Sequence, residues 1–381
     1  MALNEVPKPP SSLPTEQELM ASWQGNLDEP LLTIKCITYN HASYIRDALH
    51  GFLTQRTNFP FRIVVHDDAS TDGTQEVIKH YSAQYPRVIK AVLQETNLRS
   101  RGLKRDPYLE RLLAGEYIAI CEGDDYWVDP HKLQRQVQFL STHPDYALCW
   151  TRFFTLNGST GELTLDENSD CFSDAEGVEF DFALFDRGWH IGMQTLVYRR
   201  SALSLENRKN KHYRDVFLIA DLLTEGRGYC LAAPTAIYRQ HPGGIYSGAS
   251  AIERAATGAA VYREIFLTHP QNPHLRSKYR KFSGFFIRRL LAQGSYKQAL
   301  QAVDELTAAV PDSAAHREHL YELLENLLSA KDRRTQEIEG QISCRIGRLL
   351  GHAMAVLSAG GKRTLRLYWK IRRRILRPSG V

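Results

Sequence analysis

The run Glu122-Gly123-Asp124-Asp125-Tyr126-Trp127 places three carboxylates within four residues, directly after the apolar stretch 117–121. Oxygen ligands at that density suit a hard divalent cation that also grips diphosphate oxygens. Mn2+ or Mg2+ would neutralise the charge that develops on a leaving nucleotide diphosphate, acting as Lewis acid and template. An ordinary acidic surface loop accounts poorly for acids that follow a buried run and precede a Tyr-Trp pair. Upstream, His66-Asp67-Asp68 leads into Ala69-Ser70-Thr71-Asp72-Gly73-Thr74, and Thr38-Tyr39-Asn40 closes an earlier apolar run. Carboxylates that run into such a turn can accept hydrogen bonds from a ribose or a base edge. Asp72 and Gly73 read more simply as turn and helix cap. Asp67 and Asp68 are adjacent and like-charged, and require a ligand or counter-charge.

These residues must be held at strand ends. LLTIKCITYN reads as a strand, 44–55 as a helix, RIVVHDD as a strand and 73–85 as a helix; VIKAVLQ and EYIAICEGDD read as strands and 132–142 as a helix. The alternation predicts an α/β fold with a mostly parallel sheet flanked by helices, because parallel strands need crossover connections. Ligands of such sheets bind beyond the C-terminal strand ends. Residues 1–30 read as a partly disordered leader with one short helix around 16–23, and 31–250 as the α/β domain. Residues 251–340 read as helical, with 282–292 and 296–309 forming one tetratricopeptide-like hairpin split by Gln293-Gly294-Ser295, then a longer helix at 316–338. One hairpin falls short of the roughly three units that a repeat array needs, so a helical appendage is expected.

The 381 residues, 43% hydrophobic and 24% charged, allow for one such domain and an extension. Six scattered cysteines without a CxxC pair suggest buried thiols, and neither a zinc site nor a disulfide framework. No basic-then-apolar signal opens the chain, and no stretch approaches the ~20 apolar residues that span a bilayer. A cytoplasmic protein is therefore expected, peripheral on the inner face of the membrane at most. The net charge of +5 is uneven: 362–381 carries Lys362, Arg363, Arg366, Lys370, Arg372, Arg373, Arg374 and Arg377 with no acid. Interleaved with Tyr368, Trp369, Ile371 and Ile375, these make 341–381 a basic amphipathic tail suited to an anionic membrane surface. No recognition module for nucleic acid accompanies it.

HDDASTDGT and EGDDYW at this separation, preceded by ITYNHASYI, resemble the inverting family 2 glycosyltransferases of the GT-A fold, over about residues 31–248. The resemblance implies transfer of a sugar from a nucleotide-diphosphate donor, a UDP-sugar first, to a glycan or lipid-linked acceptor in bacterial cell-surface polysaccharide or glycolipid synthesis. It implies that Thr38, Tyr39, Asn40, Asp67, Asp68, Arg101 and Asp124 surround the nucleotide, with Asp67 or Asp68 reading the nucleoside. Asp124, Asp125 and His241 would hold the metal; Glu122, Trp127 and Gln194 would face donor or acceptor. Glu122 stands where the family usually has aspartate. DVFLIADLLTEG resembles the family's aspartate-aromatic helix, which implies that Asp215 is the base that deprotonates the attacking hydroxyl. Asp221, six residues on, would point away from Asp215 on that helix. IYRQHPGGIYSG resembles the family's tyrosine-arginine-x-histidine segment, with His241 a metal or diphosphate ligand. Arg239 and the basic run Arg99, Arg101, Lys104 and Arg105 are candidates for phosphate or nucleoside contacts, and Gly243-Gly244 for a closing loop.

Two other readings stay open. A nucleotidyltransferase would need a Gly-rich basic loop after the first strand, and ITYNHASYI is neither. A degenerate GT-A scaffold that only binds partners has no physical reason to keep mutually repelling carboxylates at the strand ends.

Overall fold

Apolar runs that end in polar residues become strands buried on both faces. In the computed structural model, which describes residues 6–26, 28–102, 109, 111–167, 172, 175–189, 191–241 and 250–310, β1 (Leu32–Thr38) and β2 (Phe61–Asp67) are buried along almost their whole length. They pair in parallel, Thr38 opposite Asp67. Strands β3 (Ile89–Leu93) and β4 (Tyr117–Ile120) extend the parallel block on either side. The crossovers are α2 (Ile45–Leu53) and α3 (Thr74–Gln84), which follow α1 (Glu16–Met20) in the chain. A run buried on both faces needs such helical cover.

The remaining strands are β5 (Tyr126–Trp127), β6 (Tyr146–Asn157), β7 (Leu163–Leu165), β8 (Gly177–Phe180), β9 (Val197–Arg199) and β10 (Arg227–Gln240); the helices between them are α4 (Lys132–Thr142), α5 (Phe182–Arg187) and α6 (Asp215–Glu225). The sheet order is β3-β2-β1-β4-β9-β6-β10-β5, with β7 on β6 and β8 on β10. Strand β9 lies antiparallel between β4 and β6, and β10 pairs in parallel with β6, so β6 and β10 run in the direction of β1–β4. The sheet is thus mostly parallel, and the end of β10 reaches the edge where β1, β2 and β4 end.

The N-terminal segment is part of this unit. Thr15 and Glu18 form a capping box on α1, and Leu19 is buried in the main core beside Leu13, Met20 and Trp23. The Tyr85 hydroxyl donates to the Pro14 carbonyl at 2.6 Å, and the Glu16 carboxylate accepts the amides of Arg87 and Val88. Within the segment expected to be a partly disordered leader, residues 7–23 are thus docked, because Leu19, with Leu13, Met20 and Trp23, packs into the main core.

The chain divides into two units, Met1–Gly248 and Ala249–Val381. The described part of the second is helical: α7 (Ala251–Thr268), α8 (Pro273–Ala292) and α9 (Tyr296–Ala309), with α8 packed on both neighbours. Helix α8 opens well before residue 282, on an Asn272 cap with Pro273 in its first turn. Its polar first turns bury Leu275, Lys278 and Tyr279 all the same. The expected helix at 316–338 and the basic tail at 341–381 lie outside the described residues. Among the described residues no helix is long and apolar enough to cross a membrane.

Candidate functional site

The first two strand ends are tied together by the turn that follows β2. Asn40 has a positive φ of 55°, its amide donates to Ser70 Oγ at 2.7 Å, and its side chain accepts the Thr71 amide at 2.9 Å. The His41 amide donates to Thr74 Oγ1 at 2.9 Å, and the Ala42 amide to Asp72 at 2.9 Å. Asp72 also accepts the Thr74 amide at 3.0 Å, beside Gly73 at the helix cap with φ 98°. The expected turn-and-cap pair thus also fixes the loop after β1.

Asp67 and Asp68 are both buried. Asp67 accepts the Ser70 amide and hydroxyl and the Gln75 side-chain amide. Asp68 accepts the Leu98 amide at 2.8 Å and the Arg99 amide at 3.3 Å. Amide donors answer the repulsion expected between the neighbours, and through them Asp68 holds the 97–99 loop against the sheet edge. Arg101 is exposed on the turn after that loop, Tyr39 is 43% exposed at the tip of β1, and Thr38 is buried with its Oγ1 lacking a hydrogen-bond partner among the described residues. Lys104, Arg105, Gly243 and Gly244 lie outside the described residues.

The acidic run follows β4 at the same edge, where the Gly123 amide donates to the Ile37 carbonyl at 3.0 Å. Gly123 is needed for room: a Cβ there would come within 2.7 Å of Thr38 Oγ1. Asp124 meets two imidazoles, with Oδ2 3.1 Å from His241 Nε2 and 3.6 Å from His41 Nε2. Ligand atoms of His41, Asp124 and His241 lie within 4.8 Å of one another. Asp124 Oδ1 is buried with no hydrogen-bond partner among the described residues. An orphaned carboxylate oxygen beside two imidazoles fits a divalent cation. Burial pushes the His41 imidazole below its ordinary value, against the pull of Asp124.

Asp125, expected in the metal shell with Asp124, turns the other way. Its Oδ1 accepts the Arg239 amide at 2.8 Å, and burial, with the Asp124 carboxylate beside it, pushes its carboxyl well above the usual range. The backbone turns at Gly123-Asp124, with the Asp125 amide donating to the Glu122 carbonyl at 3.3 Å, and Asp124 is the one of the pair that meets the imidazoles. Arg239 runs under the run itself, donating to the Asp124 carbonyl at 2.9 Å, pairing with Asp47 of α2, and lying 4.2 Å from the Tyr126 ring centroid. Its guanidinium is committed to the protein rather than presented as a bare phosphate ligand.

Trp127 and Gln194, expected to face donor or acceptor, are withdrawn into the core. Trp127 is 1% exposed and Gln194 4%, and the Trp127 indole donates to the Gln194 carbonyl at 2.6 Å. Strand β5 presses Trp127 against α2 so closely that Gly51 is the only size that fits: a Cβ there would meet the Trp127 backbone at 2.8 Å. Glu122 is exposed at the edge. Asp215 opens α6 and is exposed, whereas Asp221 on the same helix is buried and accepts Asn207 Nδ2 at 2.8 Å. Sequence reasoning overlooked His41 and Asp47. The signal for His41 was its place directly after Asn40, one more polar residue at a strand end.

Residues 33–204 match the model of Glycosyl transferase family 2. An uncharacterized protein of Mycobacterium tuberculosis is 36% identical over 218 residues, 57% of this chain and 61% of its own length, so the match spans less than two thirds of that relative. A Bacillus subtilis protein named as a teichuronic acid biosynthesis glycosyltransferase, TuaG, is 31% identical over 121 residues, 32% of this chain and 44% of its own. The crystal structure of Staphylococcus aureus TarS 1–349 with UDP-GlcNAc superposes with a TM-score of 0.52 at 17% identity, covering 78% of this chain and 81% of that one. Over 33–204, less than half of the chain, the unit that holds the site is similar to this glycosyltransferase family, and its fold is GT-A.

Proposed function

We propose that the chain transfers a sugar from a nucleotide-diphosphate donor to a glycan or lipid-linked acceptor, with inversion at the anomeric carbon, in cell-surface polysaccharide or glycolipid synthesis. The observation that carries this reading is the meeting of Asp124 with His241 at the edge where β1, β2 and β4 end, within a domain similar to this family. The UDP-GlcNAc held by TarS and the name of TuaG favour a UDP-sugar and a polysaccharide acceptor.

In this reading Thr38, Tyr39, Asn40, Asp67, Asp68 and Arg101 frame the nucleotide, and Glu122 stands at the mouth toward the donor sugar. Asp124 and His241 would hold Mn2+ or Mg2+, which supplies Lewis-acid neutralisation of the departing diphosphate. The acceptor oxygen bonds to the anomeric carbon, the bond from that carbon to the diphosphate oxygen breaks, and its electron pair leaves with the nucleoside diphosphate. The hydroxyl proton passes to the Asp215 carboxylate. Asp125 and Arg239 act from behind, holding the acidic run in shape.

Purified protein offered a panel of nucleotide sugars with Mn2+ or Mg2+ is expected to release nucleoside diphosphate, and Asp124→Ala to lose that activity. Release from no donor, or full turnover in Asp124→Ala, would remove the reading. A lipid-linked acceptor would draw the chain to anionic vesicles through 341–381; a truncation after Gly360 that sediments with vesicles as before would count against that part.

A further inference from the structure

We propose that His41 is the metal-selecting residue of this site: as a second imidazole beside Asp124 and His241, it tips the site from Mg2+ toward a first-row transition ion such as Mn2+. The inference rests on the glycosyltransferase reading only for the presence of a metal.

A ligand set of carboxylate and diphosphate oxygens alone serves Mg2+ well, since Mg2+ takes hard oxygen donors and keeps its waters. Each neutral imidazole added moves preference toward borderline transition ions. Of the acidic run, Asp124 is the carboxylate that gathers with the two imidazoles, whereas Asp125 is engaged with the Arg239 amide. His41 and His241 come from the ends of different strands, yet their ring centroids lie 6.2 Å apart with Asp124 Oδ2 within 3.6 Å of both Nε2 atoms. The Nδ1 of His41 is buried without a partner among the described residues, so none of these fixes that ring from behind.

What fixes it is the backbone. The Thr74 hydroxyl holds the His41 amide and the Asp72 carboxylate holds the next one, while Ser70 and Thr71 grip Asn40 in its left-handed conformation. Asp72 thus acts as a positioning residue: the turn after β2 presents the imidazole rather than touching the metal itself. Held ligands bind better than mobile ones, because the ordering cost is met in folding.

The test is metal binding, read apart from turnover. Mn2+ is titrated into the full chain, with and without UDP, and free Mn2+ is followed by its EPR signal; Co2+ is added in parallel, its visible spectrum reporting nitrogen ligation. Wild type is expected to retain Mn2+ in preference to Mg2+, and His41→Ala to weaken Mn2+ on the order of tenfold to a hundredfold with little change for Mg2+. His41→Asp, which returns an oxygen donor, should shift preference toward Mg2+, and Asp72→Ala should weaken Mn2+ less than His41→Ala does. Circular dichroism and melting temperature establish that each variant is folded. Equal Mn2+ affinity in wild type and folded His41→Ala overturns the inference, as does a wild type that retains no Mn2+ under either condition. Mn2+ binding through His41 without sugar transfer would instead sink the glycosyltransferase reading and leave this one standing.

Discussion

Arg239 on β10 donates from Nη1 to the main-chain carbonyl of Asp124 at 2.9 Å, so a side chain from the last strand holds the backbone of the residue that meets both imidazoles. The same guanidinium reaches Asp47 on α2 and packs over Tyr126. Three segments are therefore clamped by one cation.

Replacing Arg239 by Met should loosen that clamp. It leaves a carbonyl and a carboxylate without their charged donor, a loss of about 1–3 kcal/mol for hydrogen bonds to charged groups. Asp124 should then wander, lowering kcat more than it raises KM for the donor. Chemical denaturation and steady-state kinetics check both; full activity with an unchanged denaturation midpoint would show that the clamp is idle.

Lys132 offers a pH-dependent stability test away from the site. It is wholly buried, its Nζ bonded to Gln136 Oε1 at 2.7 Å and 4.2 Å from the Trp127 ring centroid, and burial holds its pKa down to about 7 from 10.5. Between those values the unfolded chain carries a proton that the folded chain does not. Stability contributed by this group therefore rises as pH rises from 7 toward 10.5. Lys132→Met should stabilise the protein at pH near 7 and flatten this slope, measured as urea midpoints at neutral and alkaline pH. A slope identical in both proteins would show that Lys132 does not titrate in this range.

Gly51 is where α2 touches the backbone of β5. A Cβ there would stand 2.8 Å from both the amide nitrogen and the carbonyl oxygen of Trp127, and backbone does not swing aside. Gly51→Ala should cost about 1–3 kcal/mol by overpacking. The expected readout is a lower urea midpoint together with reduced turnover, since the strained strand carries the acidic run. An unshifted midpoint would mean that the helix relaxes freely.

The N-terminal segment should matter to stability. Removing residues 1–23 exposes the face covered by Leu19 and Trp23, and burial of one such side chain is worth about 2 kcal/mol. It also deprives the Tyr126 hydroxyl of the Pro7 carbonyl, 2.9 Å away. The truncated chain should melt well below the full one. Equal melting temperatures would return the segment to the status of a loose leader.

Asp215 and Asp221 should separate chemistry from folding. Asp215→Asn is expected to lower kcat on the order of a hundredfold to ten-thousandfold, the range of general-base catalysis, with little change in melting temperature. Asp221→Asn should do the reverse, because that carboxylate is buried against Asn207 and beside Tyr213. Lost turnover in a stable Asp221→Asn, with Asp215→Asn active, would exchange their roles.

The parallel block was legible because its signals are local. The runs that became β1, β2 and β4 are largely apolar and end in polar residues, acidic after β2 and β4, and periodicity in α2, α3 and α4 follows from neighbours three and four apart. Asp124 could be named from the same run. The short antiparallel strands β5, β7, β8 and β9 left no comparable mark, since two to four residues carry no readable period.

By itself, then, the order of residues determined which strand tips bear carboxylates and that helices must separate them. Only the tertiary structure decided which side chains meet there. His241 lies 117 positions from Asp124 and reaches it because β10 pairs with β5 and β6 out of chain order. Asp124 faces the imidazoles while Asp125 faces the Arg239 amide, and Trp127 sinks into the core while Tyr39 stays at the surface. Those choices depend on sheet order and on close contacts such as Gly51 against Trp127, which act between segments distant in the chain and leave no trace in the spacing of neighbouring residues.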